Sequence, residues 1–110
     1  MSKYYSRKTT IYGITFDSKK EADRYCELRL LEMAGKIREL KRQVQFVLQP
    51  TFKKNGKTIR AITYVADFEY YDIEKGKYIV EDVKGYKTKE YKLKKKMFEY
   101  RYPDQTIVEV

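Results

Sequence analysis

The hydrophobic period of this chain changes at Gly35, from helical spacing before it to strand alternation after it, and that change restricts the fold most. Upstream, Asp17-Ser18 precedes a run of good helix formers over 19–34, in which Ala22, Tyr25, Cys26, Leu30 and Met33 define an apolar side. The spacing predicts a helix with one face against a sheet, closed where Gly35 supplies a left-handed cap. Downstream, strands are predicted over 44–51, 59–71 and 78–84, with Asn55-Gly56 and residues 74–77 as turns. A second helix is expected over 89–102, stopped by Pro103-Asp104, and a last strand over 106–110. The order is helix, three strands, helix, strand, in an α/β (α+β) chain that opens with a short strand over 11–16.

A chain of 110 residues is sized for one domain, because two cores would leave each half too small. Residues 1–12, with Lys3, Arg7 and Lys8 and no apolar period, read as a basic arm, and 13–110 as the single domain. Twenty-five Lys and Arg against sixteen Asp and Glu leave a net charge of +9, a field that draws polyanions, so nucleic acid is the first expected partner. No histidine is present, and Cys26 is alone. Cysteine–histidine zinc clusters, Cys-His pairs and Ser-His-Asp triads are therefore excluded. Cys26 reads as a small apolar packer, and a single thiol fits a reducing cytoplasm. No apolar run has transmembrane length, and 1–10 lacks the apolar stretch of a signal peptide, so a soluble cytoplasmic protein without a membrane partner is expected.

The most informative stretch is Tyr78-Ile79-Val80-Glu81-Asp82-Val83-Lys84. Alternation along a strand puts Asp82 and Lys84 on one face and Glu81 on the other. Upstream, Asp67 stands in the apolar run Tyr64-Val65-Ala66-Asp67-Phe68, where an unpaired charge is costly and a cation would compensate it. The short turn between the two strands makes them antiparallel neighbours, so Asp67 and Asp82 can converge on one side of the sheet. Two such carboxylates suit Mg²⁺, with waters and a substrate phosphate completing the octahedron. Lys84 would orient water or neutralise developing charge, and Glu21, in the first turn of the first helix, is a third candidate acid. Each residue also has a plainer reading. Ser18 to Glu21 fits a capping box, Asp67 could serve a nearby lysine, and Asp82 with Lys84 could be a surface ion pair.

These residues resemble the PD-(D/E)xK nuclease superfamily over roughly residues 14–110. The phrases FDSKKEADRYCEL, YVADFEYY, VEDVKGYKT and YKLKKKMF carry the likeness, which is nearest to small phage and prophage nucleases. The resemblance implies a restriction-endonuclease-like αβββαβ core, a mixed central sheet flanked by helices. It implies a catalytic set of Glu21, Asp67, Asp82 and Lys84, with Glu21, Asp67 and Asp82 holding Mg²⁺ or Mn²⁺. Ala66 replaces the nominal proline of the pattern, and Asp82 stands where Glu is commoner. The implied activity is metal-dependent hydrolysis of DNA phosphodiester bonds, with branched or junction DNA in phage replication or recombination favoured because phage junction resolvases share the pattern.

Lys92, Lys95 and Lys96 fall on one side of the second helix, opposite Leu93, Met97 and Tyr100, and are expected to meet phosphate. Arg42, in a basic cluster with Arg38 and Lys41, is a further candidate. Thr88 and Tyr91, at the start of the second helix, could reach the scissile region, but cap and packing are the stronger reading for both. One site per chain implies a homodimer if two strands are cut in concert. The alternative reading is a non-catalytic nucleic-acid-binding module of the same fold.

Overall fold

A computed structural model describes residues 8–84 and 87–110 of the chain. Two short hairpins and one four-stranded sheet account for all its strands. Strands β1 (Thr9–Ile11) and β2 (Ile14–Phe16) pair through Tyr12 and Gly13, both left-handed at φ 54° and 76°, as a two-residue hairpin turn requires. Part of the expected basic arm is thus ordered strand; residues 1–7 lie outside the described residues.

Helix α1 (Lys19–Met33) starts where the Ser18 hydroxyl accepts from Glu21 N at 3.1 Å, and ends at Gly35, φ 76°, as its cap pattern predicts. Its inward stripe differs from the expected one. Glu21, Ala22, Tyr25 and Leu28 are buried, while Leu30 and Met33 are 66% and 77% exposed. The rotation is fixed by Tyr25, which packs against Phe16 and Phe68, and by Arg24, which reaches Glu81 on the sheet.

Strand β3 (Ile37–Gln49) begins seven residues before the predicted 44 (44 − 37 = 7). Its first half is charged and interrupted by left-handed Glu39 and Gln43, φ 57° and 51°, so the two-residue alternation is hidden. An edge strand tolerates such charge. The run expected over 59–71 is divided between β5 (Lys57–Ile59), which returns from β4 (Phe52–Lys54) through Asn55-Gly56, and β6 (Ile62–Asp72). Strand β7 (Lys77–Asp82), helix α2 (Lys89–Arg101) and strand β8 (Ile107–Glu109) follow.

The central sheet runs β3-β6-β7-β8, antiparallel except for the parallel β7–β8 pair. It is a mixed sheet in an α+β chain, and α2 is the crossover that a parallel pair needs. Adjacent residues Ile79 and Val80 enter different cores, the first with Tyr25 and Leu28 of α1, the second with Tyr91 and Phe98 of α2. Successive strand side chains point to opposite faces, so the helices cover opposite sides. On α2 the packing line is Tyr91 and Phe98 against Phe46 and Tyr64. Met97 packs at its margin, but Leu93 and Tyr100, expected inward, are exposed, because the aromatic pair seven residues apart sets the rotation.

Candidate active site

The site forms where β6 changes the core it serves. Tyr64 and Ala66 belong to the core under α2, whereas Phe68 and Tyr70 belong to the core under α1. All four share one parity, so an untwisted strand would send them to one side; the strand turns over between them, at Asp67. Arg42 pairs with Phe68 and Val44 with Ala66, which places left-handed Gln43 opposite Asp67 at the turnover. The β6–β7 register ends at Phe68 opposite Glu81, and just beyond it Asp67 accepts from Val83 N and lies beside Asp82.

Asp82 is 1% exposed at the end of β7. Its Oδ2 accepts from the Tyr64 hydroxyl, and its Oδ1 lies 3.1 Å from Lys84 Nζ, yet no donor meets Oδ1 in hydrogen-bonding geometry. Burial pushes this carboxyl up to about 7, and neighbouring Asp67 adds to the shift while the Tyr64 hydroxyl and Lys84 oppose it. Asp67 accepts from Val83 N at 2.8 Å through Oδ2 and from Gln43 Nε2 at 3.3 Å through Oδ1. The same Gln43 nitrogen donates to Glu21 Oε2 at 3.2 Å. Glu21 is 5% exposed and is also raised to about 7, chiefly by burial and then by Asp67 and Asp17, against Arg42 and Gln43. Lys84 Nζ sits 4.5 Å from the Tyr91 ring centre, a cation–π contact that fixes the ammonium from below.

Of the residues read from sequence, Asp67, Asp82 and Lys84 are brought together directly, and Glu21 joins them through Gln43. The cap at Ser18 is real, but the Glu21 carboxylate is engaged with Gln43 and Arg42. Glu81 points to the other face, where Arg24 Nε and Nη2 grip it at 2.8 and 2.6 Å and Tyr70 adds its hydroxyl. Arg42 is no outer cation: it lies 3.8 Å from Glu21 Oε2 and 4.5 Å from the Phe16 ring centre. Lys95 pairs with Glu109 at 3.4 Å, alongside Lys87 at 3.1 Å, because the α2 rotation turns it toward β8. Lys92 and Lys96 are exposed. Thr88 caps α2 through Tyr91 N at 3.0 Å, and Tyr91 donates to Glu109.

Gln43 and Tyr64 were not singled out from sequence. A glutamine in a charged edge strand carries no local signal, and Tyr64 reads as one more strand aromatic, whose parity in the β6–β7 register points away from Asp82 until the strand turns over.

Among the described residues no group of three or more His, Cys, Asp and Glu is gathered around one point in metal-ligand fashion. What the site does offer is a pair of hard oxygen donors, Asp67 and Asp82, with one buried Asp82 oxygen short of a hydrogen bond. That donor set fits Mg²⁺, which is held by one or two carboxylates and keeps waters and phosphate oxygens for the rest. No helix of the described residues is long and apolar enough to cross a membrane. A family model described as "Protein of unknown function (DUF1064)" matches residues 1–109. No curated protein and no solved structure matches the chain.

Proposed function

The chain belongs to the DUF1064 family, and for it we propose a magnesium-dependent endonuclease that hydrolyses DNA phosphodiester bonds. The observation that carries this reading is the closeness of Asp67 to Asp82, with Lys84 Nζ 3.1 Å from the second acid. A buried acid and a half-buried one that repel each other, beside a single lysine, leave a deficit of positive charge that a divalent ion would fill.

Asp82 would hold Mg²⁺ or Mn²⁺ through Oδ1, which lacks a hydrogen bond, and Asp67 through Oδ1, which it shares with the Gln43 amide, with Glu21 as the nearest further acid. The bound ion supplies polarisation of the phosphoryl oxygen and a more acidic water. Tyr64 and Val83 N hold the two carboxylates in place through their Oδ2 atoms, so the Oδ1 atoms need not reorganise. Lys84 places a positive charge where the scissile phosphate gains negative charge. Glu21, with a proton affinity near neutrality, can take a proton from an attacking water or return it to the leaving oxygen. Gln43 keeps that acid aligned with Asp67.

Lys92 and Lys96 supply phosphate contacts, and the net charge of +9 supplies the long-range attraction. By resemblance the substrate is branched or junction DNA in phage replication or recombination, in the bacterial cytoplasm, with a homodimer for paired cuts. The test compares duplex, branched and single-stranded DNA with Mg²⁺ or Mn²⁺, using wild type and Asp82→Ala. Cutting that needs metal and disappears with Asp82→Ala supports the reading. DNA binding without metal-dependent cutting leaves the non-catalytic module in its place.

A further inference from the structure

The β4–β5 hairpin takes no part in the site just described. Every residue over 50–60 is exposed, and the two strands form a sheet of their own. The hairpin connects β3 to β6 beyond the Gln49–Ile62 end of their ladder, where Ala61 N donates to Thr51 Oγ1 at 3.1 Å and closes its base. Ile62 precedes Asp67 by five residues (67 − 62 = 5), about 17 Å along a strand. The ribbon therefore begins close to the site, on the same strand.

Stability does not account for its composition. Residues 50–61 contain Lys53, Lys54, Lys57 and Arg60 and no acid. Among the described residues none of these four cations enters an ion pair. Lys54 stands directly opposite Lys57 in the register, and like charges so placed repel. On the same face Phe52 stands opposite Ile59, and both apolar side chains are open to water. A lone two-stranded hairpin is marginal in water even without such a repulsion. A polyanion would neutralise the opposed lysines, and a concave surface would cover the apolar pair. The left-handed pair Asn55 and Gly56, φ 51° and 77°, keeps the tip tight and the ribbon narrow. A two-stranded ribbon of this width is what the major groove of duplex DNA admits.

We propose that the β4–β5 hairpin is a duplex-binding ribbon that enters the major groove beside the catalytic site, with its cations on the flanking phosphates. The inference rests on DNA as the partner in the reading above, and not on cleavage.

The experiment measures affinity for a linear duplex by fluorescence anisotropy in chelator, across a salt titration. It compares wild type with Lys53→Gln/Lys54→Gln/Lys57→Gln/Arg60→Gln, whose fold is checked by circular dichroism and melting temperature. If three of the four cations neutralise phosphates, the slope of log K on log salt flattens by about 2.7, so that from about 50 to about 200 mM salt wild type loses about 40-fold more affinity than the variant. Should the fourfold variant melt early, Lys54→Gln/Lys57→Gln removes a repulsion and is expected to flatten the slope by about 1.8. A variant that keeps the wild-type slope and affinity overturns the ribbon. So does equal flattening on single strands or on phosphatidylserine vesicles, which would mean general attraction to polyanions. A wild type that binds no duplex overturns it together with DNA as the partner. Flattening confined to duplex, in a protein that never cuts with Mg²⁺ or Mn²⁺, keeps the ribbon and discards the nuclease.

Discussion

Asp67 lies beside Asp82 just past the end of the β6–β7 register, its Oδ2 accepting from Val83 N at 2.8 Å, and burial with this proximity pushes the Asp82 carboxyl up to about 7. Both the chemistry assigned to the site and its electrostatic cost follow from that one pairing.

The cost has a sign that can be measured. A carboxyl whose folded pKa lies above its unfolded value binds more protons in the folded state, so its contribution to stability declines as pH rises through the window between the two. For Asp82 that window runs from 3.8 to about 7. Urea midpoints in chelator are expected to show Asp82→Asn gaining on wild type across this window and holding a constant lead above it. A difference that does not change with pH would refute the assigned shift. Added Mg²⁺ should narrow the lead above neutrality by stabilising the wild-type pair.

Lys84 is expected to act on the rate. Lys84→Ala should lower metal-dependent cutting by about 10²–10³-fold, the order of effect of removing one preorganised donor aimed at developing negative charge. Affinity for DNA in chelator should change little, since one cation among many is lost. Single-turnover kinetics separate the two; a loss confined to binding would move Lys84 from catalysis to docking.

The pair on the other sheet face is a stability element. Removing Arg24 leaves Glu81, 1% exposed, without its bidentate partner, and Arg24→Met is expected to cost about 3–5 kcal/mol in chemical denaturation. Arg24→Met/Glu81→Leu should recover most of it, because the stranded charge goes too. Recovery absent from the double variant would show that the interaction is not pairwise.

Gln43 combines a backbone conformation with a side-chain bridge, and two variants separate them. At φ 51°, glycine suits the backbone and alanine does not, so Gln43→Gly should be more stable than Gln43→Ala by about 1 kcal/mol. Both lose the bridge between Glu21 and Asp67 and should lose cutting activity to the same degree. Thermal melts read the first effect and initial rates the second; activity that follows stability would mean that the carboxamide has no role of its own.

Local rules read from the chain set the start and end of α1, the Asn55-Gly56 turn, the α2 cap and the sequence of the main elements. Each depends on neighbours a few residues apart: Ser18 on Glu21 N, Gly35 on the last helical turn, Thr88 on Tyr91 N. The separation of Asp82 and Lys84 from Glu81 was equally legible, because a strand alternates whatever surrounds it. Early β3 was not, since two left-handed residues break its alternation, and the Thr9–Ile11 strand was hidden because Tyr12 is an uncommon residue at φ 54°.

Tertiary structure alone decided which way α1 and α2 roll on the sheet, and hence that Leu30, Leu93 and Tyr100 face outward while Arg42 turns in to Glu21. It also decided that Gln43 meets Asp67 and that Tyr64 meets Asp82. These contacts join residues 18 to 24 positions apart, and their geometry depends on strand register, sheet twist and the seating of both helices. Propensity acts over one helical turn or one strand step; rotation and register are settled only when all the apolar faces are buried together.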